Sequence, residues 1–178
     1  MSYTSHGKLS CLTGVASRFL QGGWVLRNWH DDIGPQIDAW VKGADALLLG
    51  RKTWQVHGAA FEPQPEQDPF AGLKKYVVSR TLRSAEGWRN SELITGDMVE
   101  AVKRLKSLPG KDIALDGSIS LMHTLLAENL VDELSLHVFP VSVGGGKKLF
   151  PEGKLINLRL LESQSLPNGV LFVRYALG

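Results

Sequence analysis

A chain of 178 residues, 43% apolar and 21% charged, is long enough to bury one full core, and this composition excludes disordered and fibrous classes. A formal net charge of +2 with scattered Lys and Arg gives no wide basic face, which argues against nucleic acid as a partner. No apolar run nears the roughly 20 residues of a membrane span.

Cys11 is the single cysteine, so no internal disulfide forms, and no Cys or His spacing fits zinc. No metal is expected. The opening MSYTSHGKLS lacks an apolar h-region, so no signal peptide is read and a reducing, cytoplasmic setting is expected.

In chain order, YTSHGKLS (residues 3–10) is a poor strand by composition. Asp31 and Asp32 then open a helix in which Ile33, Ile37, Trp40 and Val41 recur at helical spacing. Residues 45–50 read as a buried strand ending in glycine, and residues 51–58 as a short helix. PQPEQDPF (63–70) fits a polar surface loop. Residues 75–79 predict a second strand, 93–95 a brief one, and 98–107 a helix with Val99, Val102 and Leu105 on one face. DIAL (112–115) is a further buried strand, followed by a helix over 118–129 carrying Leu121, Leu125 and Leu126. This alternation predicts a largely parallel sheet with right-handed crossovers.

The last third differs. Residues 133–143 alternate apolar and polar, and Pro140 within them implies a bulge or an edge position. Residues 157–164 and 169–175 read as two more strands around a turn at Pro167 and Asn168. The expectation is an antiparallel portion joined to the edge of the parallel part.

Open parallel sheets bind ligands beyond the carboxyl ends of their strands, so the residues there are the candidates. Gly50, Arg51 and Thr53 follow the first parallel strand: a glycine for close approach, a guanidinium, a hydroxyl, and the free N–H groups of a helix start. They fit a phosphate, or equally a plain helix cap with surface cations. Ser79, Arg80 and Thr81 could grip a phosphate monoester, or form a polar turn. Asp116, Gly117 and Ser118 open the next helix, with Asp116 near a ligand or acting as an ordinary cap. Gly144, Gly145 and Gly146 before Lys147 and Lys148 are either a backbone nest for a ligand or a hairpin tip. His123 and His137 fall within predicted elements and read as structural.

The pieces GGWVLRNWHDDIG, ADALLLGRKTW, KKYVVSRTL, LKSLPGKDIALDGSISLMHTLL, NLVDELSLHVFPVSVGGGKKLF and GVLFVRYALG run in one order over residues 19–178. Together they resemble the dihydrofolate-reductase-like proteins related to the reductase domain of bacterial riboflavin biosynthesis, in their stand-alone branch. The resemblance implies a single α/β domain over 1–178, with residues 1–18 a divergent segment. It implies a three-layer fold, a mostly parallel mixed sheet with antiparallel C-terminal strands between helices. NADPH is the implied cofactor, and pairing as a homodimer is also implied.

By position, Thr53 matches a cofactor-contacting threonine, and His57 stands where some relatives place a cofactor-contacting acid. Ser79 matches a cofactor-contacting serine, and Arg80 is placed to meet the adenosine phosphate. Ser118, Ile119, Ser120 and Leu121 match the helix start that holds the pyrophosphate. Asp116 matches an acid that contacts a ribityl substrate, and Trp24 lies near a tryptophan lining the nicotinamide end. One departure is at Thr13, in Cys11-Leu12-Thr13-Gly14, where the family has an acid facing the active site.

The implied function is hydride transfer from NADPH to a C=N or C=O carbon of a pteridine or ribosylamino-pyrimidine-like substrate. Asp116, Asp31 or Asp32, or an ordered water, would deliver the proton. Two other readings stay open: a non-catalytic NADP-binding or ligand-binding protein, favoured by Thr13, and a structural dimer without ligand.

Overall fold

The computed structural model describes residues 8–13 and 23–178. It contains β1 (Leu9–Thr13), α1 (Trp24–Arg27), α2 (Ile33–Gly43), β2 (Ala44–Gly50) and α3 (Arg51–Phe61). A 3-10 turn (Pro65–Gln67) leads to β3 (Lys74–Val78), β4 (Ser91–Ile94), α4 (Met98–Ser107), β5 (Asp112–Leu115) and α5 (Ile119–Ala127). β6 (Glu133–Val138), β7 (Leu158–Ser165) and β8 (Leu171–Leu177) follow. Among the described residues, the strands form one sheet in the order β4-β3-β2-β5-β1-β6-β8-β7.

Every pairing from β4 to β6 is parallel, and β8 runs antiparallel to both β6 and β7. One expectation is corrected here: β6 pairs in parallel with β1, so the antiparallel pairings are those of β8, which alone runs against the other strands. β6 also ends at Val138. Pro140 lies beyond it and carries no N–H to extend the ladder, so it marks neither a bulge nor an edge.

The amino end is a second correction. Leu9 and Ser10 belong to β1 despite their weak local composition. Leu9 pairs with Ile113, and Ser10 with both Ala114 and Glu133, so the strand is held from two sides. Asp132 accepts from Leu9 N–H at 2.7 Å, and Asp112 accepts from Lys8 N–H at 2.9 Å, which fixes where β1 starts. Tertiary pairing overrides propensity at such a position.

β2 is apolar on both faces, as a central parallel strand must be. Ala46 and Leu48 face α4 and α5, packing with Val102, Leu121, Leu125 and Leu126. Leu47 and Leu49 face the other layer, with Trp54, Trp88 and Val77, and Trp40 of α2 against them. A smaller cluster of Ile33, Leu166 and Val170 ties α2 to the turn between β7 and β8. Across the same junction the His137 ring meets Gln36 Oε1 at 2.7 Å, and Gln36 donates to Gln164 Oε1 at 2.7 Å. Burial holds the His137 imidazole below its usual range. At the sheet edge, β7 leaves Leu158 and Leu160 exposed.

The segment 63–70 is more than a polar surface loop. Asp68 is buried, accepting from Trp88 Nε1 at 2.9 Å and from Phe70 N–H at 2.8 Å. Phe70 is buried beside it. Lys75 Nζ lies 3.9 Å from the Asp68 carboxylate and donates to Phe70 O at 2.9 Å. The ammonium also sits 4.5 Å from the Trp88 ring centroid, and burial lowers its pKa. Composition marks these charges as surface. Only a satisfied network allows them inside.

Candidate functional site

The parallel register decides which strand ends meet. Leu48 pairs with Leu115, and Gly50 with Val78, so Asp116 and Ser79 fall beside the last residues of β2. Cys11 also pairs with Leu115, which brings Thr13, the end of β1, to the same rim. Gly14, the next residue of the family pattern, lies outside the described residues.

Past the ladder, β2 and β5 stay bonded. Asp116 N–H donates to Leu48 O at 3.2 Å, and Gly50 N–H donates to Gly117 O at 3.0 Å. A Cβ on Gly50 would stand 2.8 Å from Ser118 Oγ and 3.3 Å from the Ser118 nitrogen. A Cβ on Gly117, whose φ is +65°, would stand 3.1 Å from Thr53 Oγ1. Both positions therefore require glycine. The Gly117–Ser118 peptide is cis.

This closeness sets two helix starts side by side. α3 begins at Arg51 with no side-chain cap on its first N–H groups, since Gly50 is the capping residue. α5 is capped by Ser118, whose Oγ accepts from Leu121 N–H at 3.4 Å and lies 2.9 Å from Ser120 Oγ. Thr53 and Ser118 place hydroxyls where the positive ends of two helix dipoles converge. Arg51 turns along its own helix and donates to Gln55 Oε1 at 3.2 Å.

On the next strand out, Ser79 Oγ accepts from Thr81 N–H at 3.1 Å and Leu82 N–H at 3.0 Å. The serine hydroxyl is thus engaged in the turn itself. Arg80 and Thr81 are exposed at its tip. Across α5, a cleft of about 480 Å³ is lined by Ile119, Ser120, His123, Lys147, Lys148 and Phe150. His123 Nε2–H donates to the carbonyls of Lys148 and Leu149, each at 3.0 Å, so it pins the lysine loop to the helix.

The pair at the rim is His57 and Asp116. His57 Nε2 lies 2.7 Å from Asp116 Oδ2. The imidazole is stacked on Phe61, with centroids 5.8 Å apart, and tilted against Phe70 and Trp88. Beneath Asp116, burial pushes the Cys11 thiol far up, and the Asp116 charge adds to it. Trp24 of α1 packs edge-on against Phe139 at 5.2 Å, and its buried Nε1–H has no hydrogen-bond partner among the described residues.

Most positions expected from sequence gather at this rim. Asp31 and Asp32 are exposed before α2. The Asp32 carboxylate lies 3.4 Å from His30 Nδ1 and makes no capping bond to its helix. The contact of Gly50 with Ser118 and the bond of His57 to Asp116 are absent from the sequence reading. The order β2 next to β5 is the signal that would reveal both. Phe139 was also missed, and nothing local marks it.

Residues 22–172 match the family of the RibD C-terminal domain. The chain is 35% identical over 139 residues to the uncharacterized protein YyaP of Bacillus subtilis, covering 74% of this chain and 73% of that one. It resembles the structure of a pyrimidine reductase-like protein from Corynebacterium diphtheriae, with TM-score 0.68, 16% identity, and 99% and 93% of the two chains covered. Acinetobacter baumannii RibD superposes with TM-score 0.60 at 15% identity, over 96% of this chain and 58% of that one. Schistosoma mansoni dihydrofolate reductase gives TM-score 0.60 at 16% identity, over 98% and 100%.

The fold is therefore that of dihydrofolate reductase. The chain belongs to the RibD C-terminal domain family, which is reductase-like and related to riboflavin biosynthesis. Among the described residues, no helix is long and apolar enough to cross a membrane.

Proposed function

We propose that this protein is an NADPH-dependent reductase that transfers a hydride to a C=N or C=O carbon of a small heterocycle of the pteridine or ribosylamino-pyrimidine class. The observation that carries this reading is the contact between Gly50 and Ser118. It sets two helix starts together at the rim with room for backbone and no room for a side chain.

The residues present fit the cofactor. The N–H groups of Ser118, Ile119 and Ser120 and the Thr53 hydroxyl would hold its pyrophosphate. Arg80 and Thr81, on the turn formed by Ser79, would take the phosphate of the adenosine ribose. The buried indole N–H of Trp24, without a partner among the described residues, suits an acceptor at the nicotinamide end. NADPH supplies the hydride when bound. The chain orients the reactants, and Trp24 and Phe139 help exclude water.

Isothermal calorimetry with NADPH and NADH tests the reading. Micromolar NADPH binding, and NADPH oxidation on adding dihydrofolate or a ribosylamino-pyrimidine, are expected. Folded protein that takes up neither nucleotide would overturn it. Thr13 favours a second reading, in which the cofactor binds and no such compound is reduced.

A further inference from the structure

His57 and Asp116 each keep about a fifth of the side chain exposed, 21% and 20%. Both therefore reach the solvent side of the rim. Among the described residues, Asp116 is the charged group in contact with the imidazole. The aromatic rings around it, among the described residues, are Phe61, Phe70 and Trp88. Lys75 and Asp68 lie behind Trp88, held to each other and to its ring.

A carboxylate that accepts from one ring nitrogen fixes the neutral tautomer. With Oδ2 of Asp116 at 2.7 Å, that nitrogen is Nε2. Nδ1 is then left as a lone pair, and it bonds no described residue. The three rings restrain the imidazole, and about a fifth of its side chain, 21%, stays exposed.

We propose that His57 is the proton carrier of this rim, with Asp116 as the group that positions it. The assignment rests on the reductase reading. The bound cofactor would supply the hydride for the new C–H bond, its dihydronicotinamide being oxidised in exchange. The π pair of the C=N bond moves to nitrogen, which forms its N–H bond with the proton from His57 Nδ1. The imidazolium becomes neutral, and solvent reloads it. A positioned acid of this kind contributes typically about 100- to 10,000-fold.

Long-range proton–nitrogen NMR on protein labelled with nitrogen-15 histidine reads each ring nitrogen without any substrate. The neutral His57 ring should carry its proton on Nε2, with Nδ1 gaining one as pH falls. Asp116→Asn should mix the tautomers while the protein stays folded by circular dichroism. A neutral ring protonated on Nδ1 would overturn the proposal, as would an Nδ1 that never takes up a proton.

Turnover is read with dihydrofolate as the probe. His57→Gln should lower kcat at least tenfold and flatten the fall of kcat with rising pH. An unchanged kcat and pH profile would also overturn the proposal. Wild-type protein that binds no NADPH sinks the reductase reading instead, and the tautomer measurement then decides by itself whether Asp116 anchors His57.

Discussion

Ser118 Oγ occupies the space that a side chain on Gly50 would need, 2.8 Å from its Cβ position. Gly50→Ala would push the start of α5 away from the end of β2. The hydroxyl can swing aside, whereas the Ser118 nitrogen at 3.3 Å is backbone and cannot. Overpacking of this kind costs about 1–3 kcal/mol. NADPH affinity should fall by at least tenfold in calorimetry.

Gly58→Ala is the control. Its Cβ would stand 2.8 Å from the Gly87 carbonyl oxygen and 3.1 Å from Trp88 Cβ, and meets no residue of the Gly50–Ser118 contact. The melting temperature should drop by a few degrees, consistent with about 1–3 kcal/mol of overpacking. NADPH affinity, measured well below that temperature, should stay near wild type. Equal affinity losses in both glycine variants would show that the Gly50 effect is only destabilisation.

Arg80 stands exposed on the Ser79 turn. Arg80→Ala should weaken NADPH by about tenfold or more, since hydrogen bonds to charged groups are worth about 1.5–3 kcal/mol. NADH lacks the extra phosphate, so its affinity should hardly move. Equal losses for the two nucleotides would remove Arg80 as the phosphate reader.

Burial depresses the His137 imidazole in the folded protein. The unfolded chain therefore binds that proton more readily. Stability is complete above the unfolded value of about 6.5 and declines as pH falls below it. Urea midpoints at about pH 7.5 and about pH 5.5 check this. His137→Gln, which can still donate to Gln36, should lose less between the two conditions than wild type does.

Asp68→Ala would leave the fully buried Lys75 ammonium without its counter-charge and Trp88 Nε1 without its acceptor. Breaking a buried pair from one side costs about 3–5 kcal/mol. Chemical denaturation should show a loss of that order. Asp68→Asn, which keeps an acceptor for Trp88, should lose less.

Local pattern carries the elements that local physics decides. α4 is readable to its ends because Asp97 caps it, accepting from Val99 N–H at 2.8 Å, and its apolar face is regular. β2 is readable because an apolar run stops at a glycine. The glycines and hydroxyls of the rim are visible as residue types at strand ends. Their mutual contacts are not, because β2 and β5 become neighbours only through the sheet order. The same holds for β1, whose composition is weak and whose stability comes from partners more than a hundred residues away. Asp68 and Lys75 look like surface charges until Trp88 and Phe70 close around them.

The placement of β1 also constrains how the chain reaches its fold. Its partners are residues 113–115 and 133–136. During synthesis, the middle of the sheet stays unpaired until the chain has grown past β5, and β1 gains its second neighbour only once β6 is made. Closing so long a loop is entropically unfavourable and slow. β2 and β3, close in sequence, can pair long before that, exposing the apolar edge of β2 where β5 will later dock. The stretch of synthesis between those two events is when the protein is most exposed to aggregation.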